Sequence, residues 1–529
     1  MHWPGPPGAV ARRWLACQIR ETGLFDPYAY AASAGLFGLS EDELIRHYLE
    51  QPAGGSVSPQ PLFDAENYRA IAGPAADSFP FLHFAVLGAH RSEGLCPTFN
   101  AETYLAENPD IRIAGWQPTR HYLEHGWREG RLATVTEPPP PAIPDFSGLV
   151  GRAGRQGGAA IDVVIPVYRG HAETLIAVHS VLAARTRVPF RLLVIDDSSP
   201  EPALVRDLAL LEARGHIDRI VNARNLGFTA TANLGLRLGG QPDVVLLNAD
   251  AEVYDDWLDR LRATAYRAAD IGTVTPLSNA ATILSYPVRL RDNPAPLELT
   301  YANLAKILGG LDLPPVEIPT GVGFCLYLRR DCLEAVGPFD ERAFPRGYGE
   351  ENDFCLRAAK LGWRHLAATD TFVRHLGSRS FKEERSGLVR HALEKLEASH
   401  PGYLATINQF MTLDPLATTR RQLDIARIRA AGHSGRLSHA AARGAHSPPD
   451  LILRRYAGMP NRFHLHSPIA PNSPNLPDID PAGDPEGTRI LFEELDVREF
   501  ALQEPALLGR RQARALERLA AIESIPRQR

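Results

Sequence analysis

A chain of 529 residues is too long for one ordinary core, so two to four domains are expected. Apolar residues at 44% and charged residues at 22% strike the balance of a soluble globular protein, and a net charge of −5 gives no global reason to expect nucleic acid as a partner. The five cysteines (Cys17, Cys96, Cys325, Cys332 and Cys355) are scattered and form no C-x-x-C pair, which argues against a disulfide framework and a structural zinc site and suits a reducing compartment. The first twenty residues lack the apolar core and small-residue cleavage site of a signal peptide, and no stretch approaches 18 uninterrupted apolar residues. A cytoplasmic protein is expected, with docking at the inner face of the membrane left open.

The first elements are repeats. Phe25-Asp-Pro-Tyr-Ala-Tyr30, Phe63-Asp-Ala-Glu-Asn-Tyr68 and Phe99-Asn-Ala-Glu-Thr-Tyr104 share one pattern, and each is followed by a His-aromatic pair: His47-Tyr48, His83-Phe84 and His121-Tyr122. This spacing predicts three helical units of about 37 residues over 25–135, after a short N-terminal segment 1–24. One histidine per unit is not a metal-ligand cluster, so each ring is expected to pack at the same spot in its repeat. The block reads as an interaction or positioning module. A proline run, Pro138 to Pro144, and a glycine-rich stretch, Gly151 to Gly158, make 136–160 an interdomain linker.

From Ile161 apolar runs alternate with amphipathic segments. Strands are expected at Asp162–Val167, Arg191–Ile195, Ile217–Val221 and Val244–Leu247, with helices at Glu173–Ala184, Thr229–Leu238 and Trp257–Ala268 between and after them. Strand-helix alternation implies a mostly parallel sheet covered on both faces, with ligands at the carboxyl ends of its strands. After His400 the chain reads as a helix to about Arg429, then proline-, asparagine- and serine-rich stretches, then a helix around Pro505–Ile522. The expected division is therefore 161–400 for an α/β domain and 401–529 for a mainly helical and irregular extension.

The polar residues that stand out sit at the predicted strand ends. Pro166 and Tyr168 follow the first, Asp196 and Asp197 the second, Asn225 and Gly227 the third with Asn233 in the next helix, and Asn248 and Asp250 the fourth. An aromatic ring can stack on a base, and carboxylates can accept from base N–H groups or ribose hydroxyls. A carboxylate at the fourth position can hold a divalent cation against a diphosphate. Each piece alone has a plainer reading: an acidic pair after a strand caps a helix, and Asn-x-Gly makes a turn.

Their order and spacing resemble the inverting glycosyltransferase family 2, which has the GT-A fold. The P-V-Y opening, the D-D-S-S turn, the N-x-G-F segment and N-x-D in place of the usual D-x-D match its nucleotide-sugar half, leaving Asp250 as candidate metal ligand. Thr320-Gly-Val-Gly-Phe-Cys325 is similar to the glycine-bearing segment beside the donor phosphates, with Gly321 and Gly323 allowing close approach. Gly349-Glu-Glu-Asn-Asp353 resembles the acceptor-side G-E-D-x-D segment, so Glu351 takes the position of the catalytic base, with Asp353 the alternative. The acidic run also suits a helix N-terminus by itself. His375-Leu-Gly377 is similar to the H-x-x-G segment whose histidine completes the metal site, though the glycine comes one residue sooner.

The resemblance implies a GT-A catalytic domain using a nucleotide-diphosphate sugar and Mn²⁺ or Mg²⁺, with sugar transfer to a hydroxyl of a glycan or lipid-linked glycan acceptor. The repeats resemble those preceding such domains in bacterial cell-surface polysaccharide enzymes, where they would meet a membrane or protein partner. Two other readings stay open: a sugar nucleotidyltransferase, although no G-x-G-[ST]-R loop follows the first strand, and a non-catalytic carbohydrate-binding scaffold.

Overall fold

The computed structural model describes the chain except residues 1–8, 23, 26, 28–29, 31–33, 35, 37–38, 52–58, 61–62, 64, 73–79, 89–98, 100, 127–141, 150–159, 239–240, 291, 294–296, 377–381, 434, 439–450, 457–458, 468, 471–472, 502–509 and 523–529. Most of the expected linker 136–160 thus lies outside the described residues. The chain forms two compact units, one of residues 139–423 and one of residues 1–138 with 424–529.

The 139–423 unit is built on an eight-stranded sheet in the order β3-β2-β1-β4-β8-β6-β9-β7. Its strands are β1 Ile161–Val167, β2 Phe190–Asp196, β3 Asp218–Val221, β4 Asp243–Leu247, β6 Ile271–Leu277, β7 Val316–Ile318, β8 Cys325–Leu328 and β9 Arg364–Phe372. A separate ribbon pairs β5, Ala251–Glu252, with β10, Arg374–His375. The helices are α1 His171–Ala183, α2 Pro202–Ala213, α3 Phe228–Leu238, α4 Trp257–Ala265, α5 Tyr301–Leu308, α6 Arg330–Val336, α7 Glu350–Lys360, α8 Lys382–Ser399 and α9 Tyr403–Leu413.

Side chains of successive strand residues point to opposite faces, and the two cores follow that rule. Val163, Ile165, Val194, Val245 and Leu247 pack under α1, α2, α4 and α5, while Val164, Leu193, Ile195, Val244 and Leu246 pack under α3, α6 and α7. Both faces of β1 are covered, which is why it reads as an almost unbroken apolar run. Gly235 lets α3 approach closely, because a Cβ there would stand 2.3 Å from Val164 Cγ1.

The expected α/β architecture holds, with additions invisible in the sequence pattern. β8 runs antiparallel to both β4 and β6, and β7 antiparallel to β9. β8 follows β7 after a loop of six residues with no helix between them.

In the other unit, helices at Ala9–Thr22, Glu41–Glu50, Ala65–Ala72, Pro80–His83, Ala101–Glu107, Pro109–Ile113 and Pro118–His121 surround an aromatic core. One contact recurs in each repeat: a tyrosine hydroxyl meets a histidine Nδ1, for Tyr30–His47 at 3.0 Å, Tyr68–His83 at 2.8 Å and Tyr104–His121 at 2.9 Å. The imidazoles are thus used in packing, and among the described residues no group of three or more His, Cys, Asp or Glu could hold a metal ion.

To the helices after residue 400 the structure adds a four-stranded sheet of Met459–His466, Leu451–Tyr456, Arg436–Ser438 and Glu499–Ala501, in that order. Helices Pro485–Glu494 and Arg510–Ile522 contribute to its core through Leu491, Phe492, Ala513 and Leu516. Among the described residues no helix is long and apolar enough to cross a membrane.

Candidate active site

Parallel strands deliver their carboxyl ends to one edge of the sheet, and the candidate residues lie there. Pro166 sits inside β1, opposite Ile195 of β2, but beyond Val164, the last β1 residue paired with β4, so its missing N–H costs no bond on that side. Tyr168 follows, half-buried, with the Arg169 guanidinium 5.4 Å from its ring centroid.

The acidic pair after β2 is buried and ties the edge together. Asp196 accepts from the Ser199 N–H at 2.8 Å and from Arg219 at 2.6 Å. Asp197 accepts from Asn222 Nδ2 and the Leu226 N–H, both at 2.8 Å, and from the Gly227 N–H at 2.9 Å. Asp197 therefore shapes the Asn225–Gly227 turn, leaving Tyr168 and the exposed Asn225 as the groups turned outward.

Gly227 adopts φ +87°, and a Cβ there would meet the Pro345 carbonyl oxygen at 2.6 Å. Gly227→Ala should therefore destabilise the unit by about 1–3 kcal/mol, read as a lowered midpoint in denaturant unfolding. An unchanged midpoint would show that the turn can relax.

Asn233 corrects the sequence reading. Its Nδ2 donates to the Phe339 carbonyl at 2.9 Å and to Glu341 at 2.8 Å, and its Oδ1 accepts from the Phe339 N–H at 2.9 Å. A fully buried amide with both ends engaged holds the segment before α7 and has nothing left for a nucleotide.

Beyond β4, the Asn248 N–H donates to the Phe324 carbonyl at 2.8 Å, while its Oδ1 is buried and makes no hydrogen bond among the described residues. Asp250 precedes β5, and the pairing of Ala251 with His375 brings the imidazole to it, Nε2 lying 3.2 Å from the carboxylate. His375 Nδ1 donates to the Ala280 carbonyl at 2.8 Å, and the Phe324 ring stacks on the imidazole at 5.5 Å. Burial alone would lower the pKa of His375, but the Asp250 carboxylate and the Ala280 carbonyl together hold it up at about 9.

The glycine segment lies between this group and α7. Gly321 is bare for packing, since a Cβ there would stand 2.5 Å from Leu326 and 3.0 Å from Thr275 Oγ1. Gly323 faces Glu351, whose Cδ would lie 3.5 Å from an added Cβ.

Three successive residues with left-handed φ, Gly347, Tyr348 and Gly349, turn the chain so that α7 starts on its acidic pair. Glu350 is 3% exposed and accepts from the Gly349 N–H at 3.1 Å, while Glu351 Oε2 is buried and makes no hydrogen bond among the described residues. Burial pushes both carboxyls above the usual range. Glu351 adds to the rise at Glu350, and nearby backbone amides, including those of Gly323 and Gly349, oppose it at Glu351.

Asp353 is not an alternative base. Its two oxygens take Arg357 at 2.7 Å and His400 Nε2 at 2.8 Å, with Lys360 2.9 Å from the other imidazole nitrogen. This ionic chain anchors α7 against the end of α8 and engages both oxygens of the buried Asp353 carboxylate in structural contacts. Sequence reasoning missed His400, Asn279, Phe324 and Tyr403. The last lies beside Thr320 and Glu351, and burial pushes its hydroxyl up to about 12.

Residues 162–337 match the family described as Glycosyl transferase family 2. The uncharacterized protein Rv1525 of Mycobacterium tuberculosis is 27% identical over 195 residues, 35% of this chain and 69% of the relative. The O-antigen biosynthesis protein RfbC of Myxococcus xanthus is 25% identical over 286 residues, 49% of this chain but only 20% of the relative. Solved structures that align include GalNAc-T7 with UDP, GalNAc and Mn²⁺, at 18% identity over 48% of this chain and 54% of that one, with a TM-score of 0.33. Another is the mannosyltransferase PcManGT of Pyrobaculum calidifontis with GDP-Man and Mn²⁺, at 16% identity over 52% and 76% of the two chains, with a TM-score of 0.34. The family match over residues 162–337 and the mostly parallel sheet with its loaded carboxyl edge agree: this part of the chain is similar to glycosyltransferase family 2 and has the α/β architecture expected of a GT-A domain.

Proposed function

We propose that this domain is an inverting glycosyltransferase that moves a sugar from a nucleotide-diphosphate sugar to a hydroxyl of a glycan acceptor. One observation carries the reading. Consecutive residues Gly323 and Phe324 touch Glu351 on one side and the Asn248–His375 group on the other, so a carboxylate base and a cation-suited cluster flank the same short segment.

The donor set suits a divalent cation. An amide oxygen without a partner lies two residues from a carboxylate that is itself 3.2 Å from an imidazole nitrogen, which leaves coordination positions for diphosphate oxygens. Asp250 and His375, with Asn248 beside them, would hold Mn²⁺ or Mg²⁺, whose charge when bound offsets that developing on the departing diphosphate. Tyr168 and Asn225 would contact the nucleotide. Glu351 takes the proton of the acceptor hydroxyl as that oxygen bonds to the anomeric carbon and the carbon–phosphate oxygen bond breaks on the opposite face. Attack from the face opposite the leaving group inverts the anomeric centre.

Asn248 Oδ1 and Glu351 Oε2 are buried without a hydrogen bond among the described residues, a cost to stability that a bound ligand would offset. The likeness to an O-antigen biosynthesis protein supports a role in cell-surface polysaccharide assembly, at the cytoplasmic face of the membrane, on a glycan or lipid-linked glycan. Hexosyl and rhamnosyl donors both suit the site, and the helical repeats are proposed to meet the membrane or a protein partner.

The deciding experiment incubates the purified chain with UDP-, GDP- and dTDP-sugars, with Mn²⁺ and with EDTA. Metal-dependent release of nucleoside diphosphate, together with a rise in melting temperature, is the expected result. No release and no thermal shift with any donor would end the reading.

A further inference from the structure

We propose that Asn279 is a positioning residue for His375: its amide clamps the histidine backbone and, with the adjacent Ala280 carbonyl, fixes which imidazole nitrogen faces Asp250. The inference rests on the reading of Asp250 and His375 as metal ligands. Asn279 lies just after β6, 96 residues before the histidine, and carries no motif. Its Nδ2 donates to the His375 carbonyl at 2.9 Å and its Oδ1 accepts from the His375 N–H at 2.8 Å. Backbone N–H can only donate and C=O only accept, so the amide has one orientation and imitates a neighbouring strand.

β10 needs such a partner. It is two residues long, pairs with β5 and is bracketed by the Val373 N–H to the Leu277 carbonyl at 2.9 Å and the Leu376 N–H to the Asp250 carbonyl at 2.8 Å, while the N–H and C=O of His375 itself are taken by Asn279. The clamp sets the backbone, and Ala280 then acts on the ring. Nδ1 must carry a proton to donate to that carbonyl, so Nε2 is the atom presented to Asp250 and to a cation. Phe324, stacked at an interplanar angle of 26°, restricts rotation of the ring out of this orientation.

Asn279 is itself fixed. Its carbonyl accepts from both the N–H and Nδ2 of Asn293, each at 2.9 Å. Farther along the same loop, Arg289 donates to the Met411 carbonyl at 2.6 Å and lies 3.4 Å from Asp414, tethering the loop to the end of α9. The loop is thus a buttress whose inner end is the Asn279–Ala280 pair. The Asn279 amide and the Ala280 carbonyl, side by side, thus engage different parts of one histidine.

The test measures Mn²⁺ binding by the full chain without turnover, from loss of the free-ion EPR signal. His375→Ala, Asn279→Ala, Asn279→Ser and the His375→Ala/Asn279→Ala double variant are compared with the unaltered protein. Asn279→Ala and Asn279→Ser should each weaken Mn²⁺ binding about 10–100-fold while the chain still unfolds cooperatively. The serine variant keeps a polar group in the loop but cannot span both His375 groups, and it stands in if the alanine variant does not fold. In the double variant the Asn279 substitution should add nothing, because its effect passes through the imidazole. Wild-type affinity in Asn279→Ser, or a full further loss in the double variant, overturns the inference alone. Wild-type affinity in His375→Ala removes the metal-site reading and this inference with it.

Discussion

Glu351→Gln should lower the rate of sugar transfer about 10²–10⁴-fold, the range that a positioned general base contributes, and leave donor binding intact. The amide keeps the side chain's shape beside Gly323 but cannot take a proton. Donor-induced thermal stabilisation should therefore match the unaltered protein while single-turnover transfer collapses. Near-normal transfer by the purified variant would remove Glu351 from the mechanism. Asp353→Asn gives the contrast: breaking the tie to Arg357 and His400 should lower the melting temperature and leave the chemical step nearly intact.

Glu351→Gln should also make the fold more stable at neutral pH. Burial raises the Glu351 carboxyl above its usual range, and Glu350 beside it is raised further. A carboxyl raised on folding adds stability below its unfolded pKa and loses it as pH climbs through the folded value, so at pH 7–8 an ionised Glu351 destabilises the native state. Glu351→Gln removes that charge. A higher melting temperature at pH 7.5, shrinking as the pH is lowered through the carboxylate range, is the expected signature. Transfer by the unaltered protein should fall on acidification at a pH above that of an ordinary glutamate. A variant that is inactive and less stable at pH 7.5 would show that the carboxylate is not held under strain.

These expectations start from features readable in the chain alone. β1, β2 and β4 are legible because strands covered on both faces become continuous apolar runs, and their ends announce themselves by abrupt polarity at Tyr168, Asp196 and Asn248. The acidic start of α7 is legible because three acidic residues in one helical turn after Gly-Tyr-Gly are a local pattern, whereas the role given to Glu351 rests on the resemblance. What each polar residue touches is not local. Asn233 and Asp197 stand in the same motif series as Tyr168, yet their partners are Phe339, Glu341 and the 222–227 turn, known only once the chain has folded. Asn279 carries no pattern at all, since its function arises from meeting residue 375. The small sheet within 436–501 was hidden for another reason. Its inward residues, among them Leu451, Leu453, Phe463 and Leu465, alternate only briefly and are set among arginines, histidines and prolines that read as irregular chain.

Asp250→Ala should lower transfer about 10²–10³-fold, the several kcal/mol that charge neutralisation at a departing diphosphate supplies. Reduced activity alone would not separate a lost ligand from a damaged fold, so the decisive readout is stability against pH in EDTA. In the unaltered protein Asp250 holds His375 protonated up to about pH 9. A histidine raised on folding contributes stability that is fully present below its unfolded pKa of about 6.5 and disappears as pH rises through the folded value. Removing Asp250 leaves a buried imidazolium without its counter-ion at pH 6, where it must stay charged at a cost or lose its proton. Asp250→Ala should therefore melt well below the unaltered protein at pH 6, with the gap closing by pH 9.5. Adding Mn²⁺ at pH 7.5 should raise the melting temperature of the unaltered chain and not that of the variant. A gap that stays constant across the pH range would mean that the two side chains are neighbours without coupling, and Mn²⁺ stabilising both proteins equally would place the cation elsewhere.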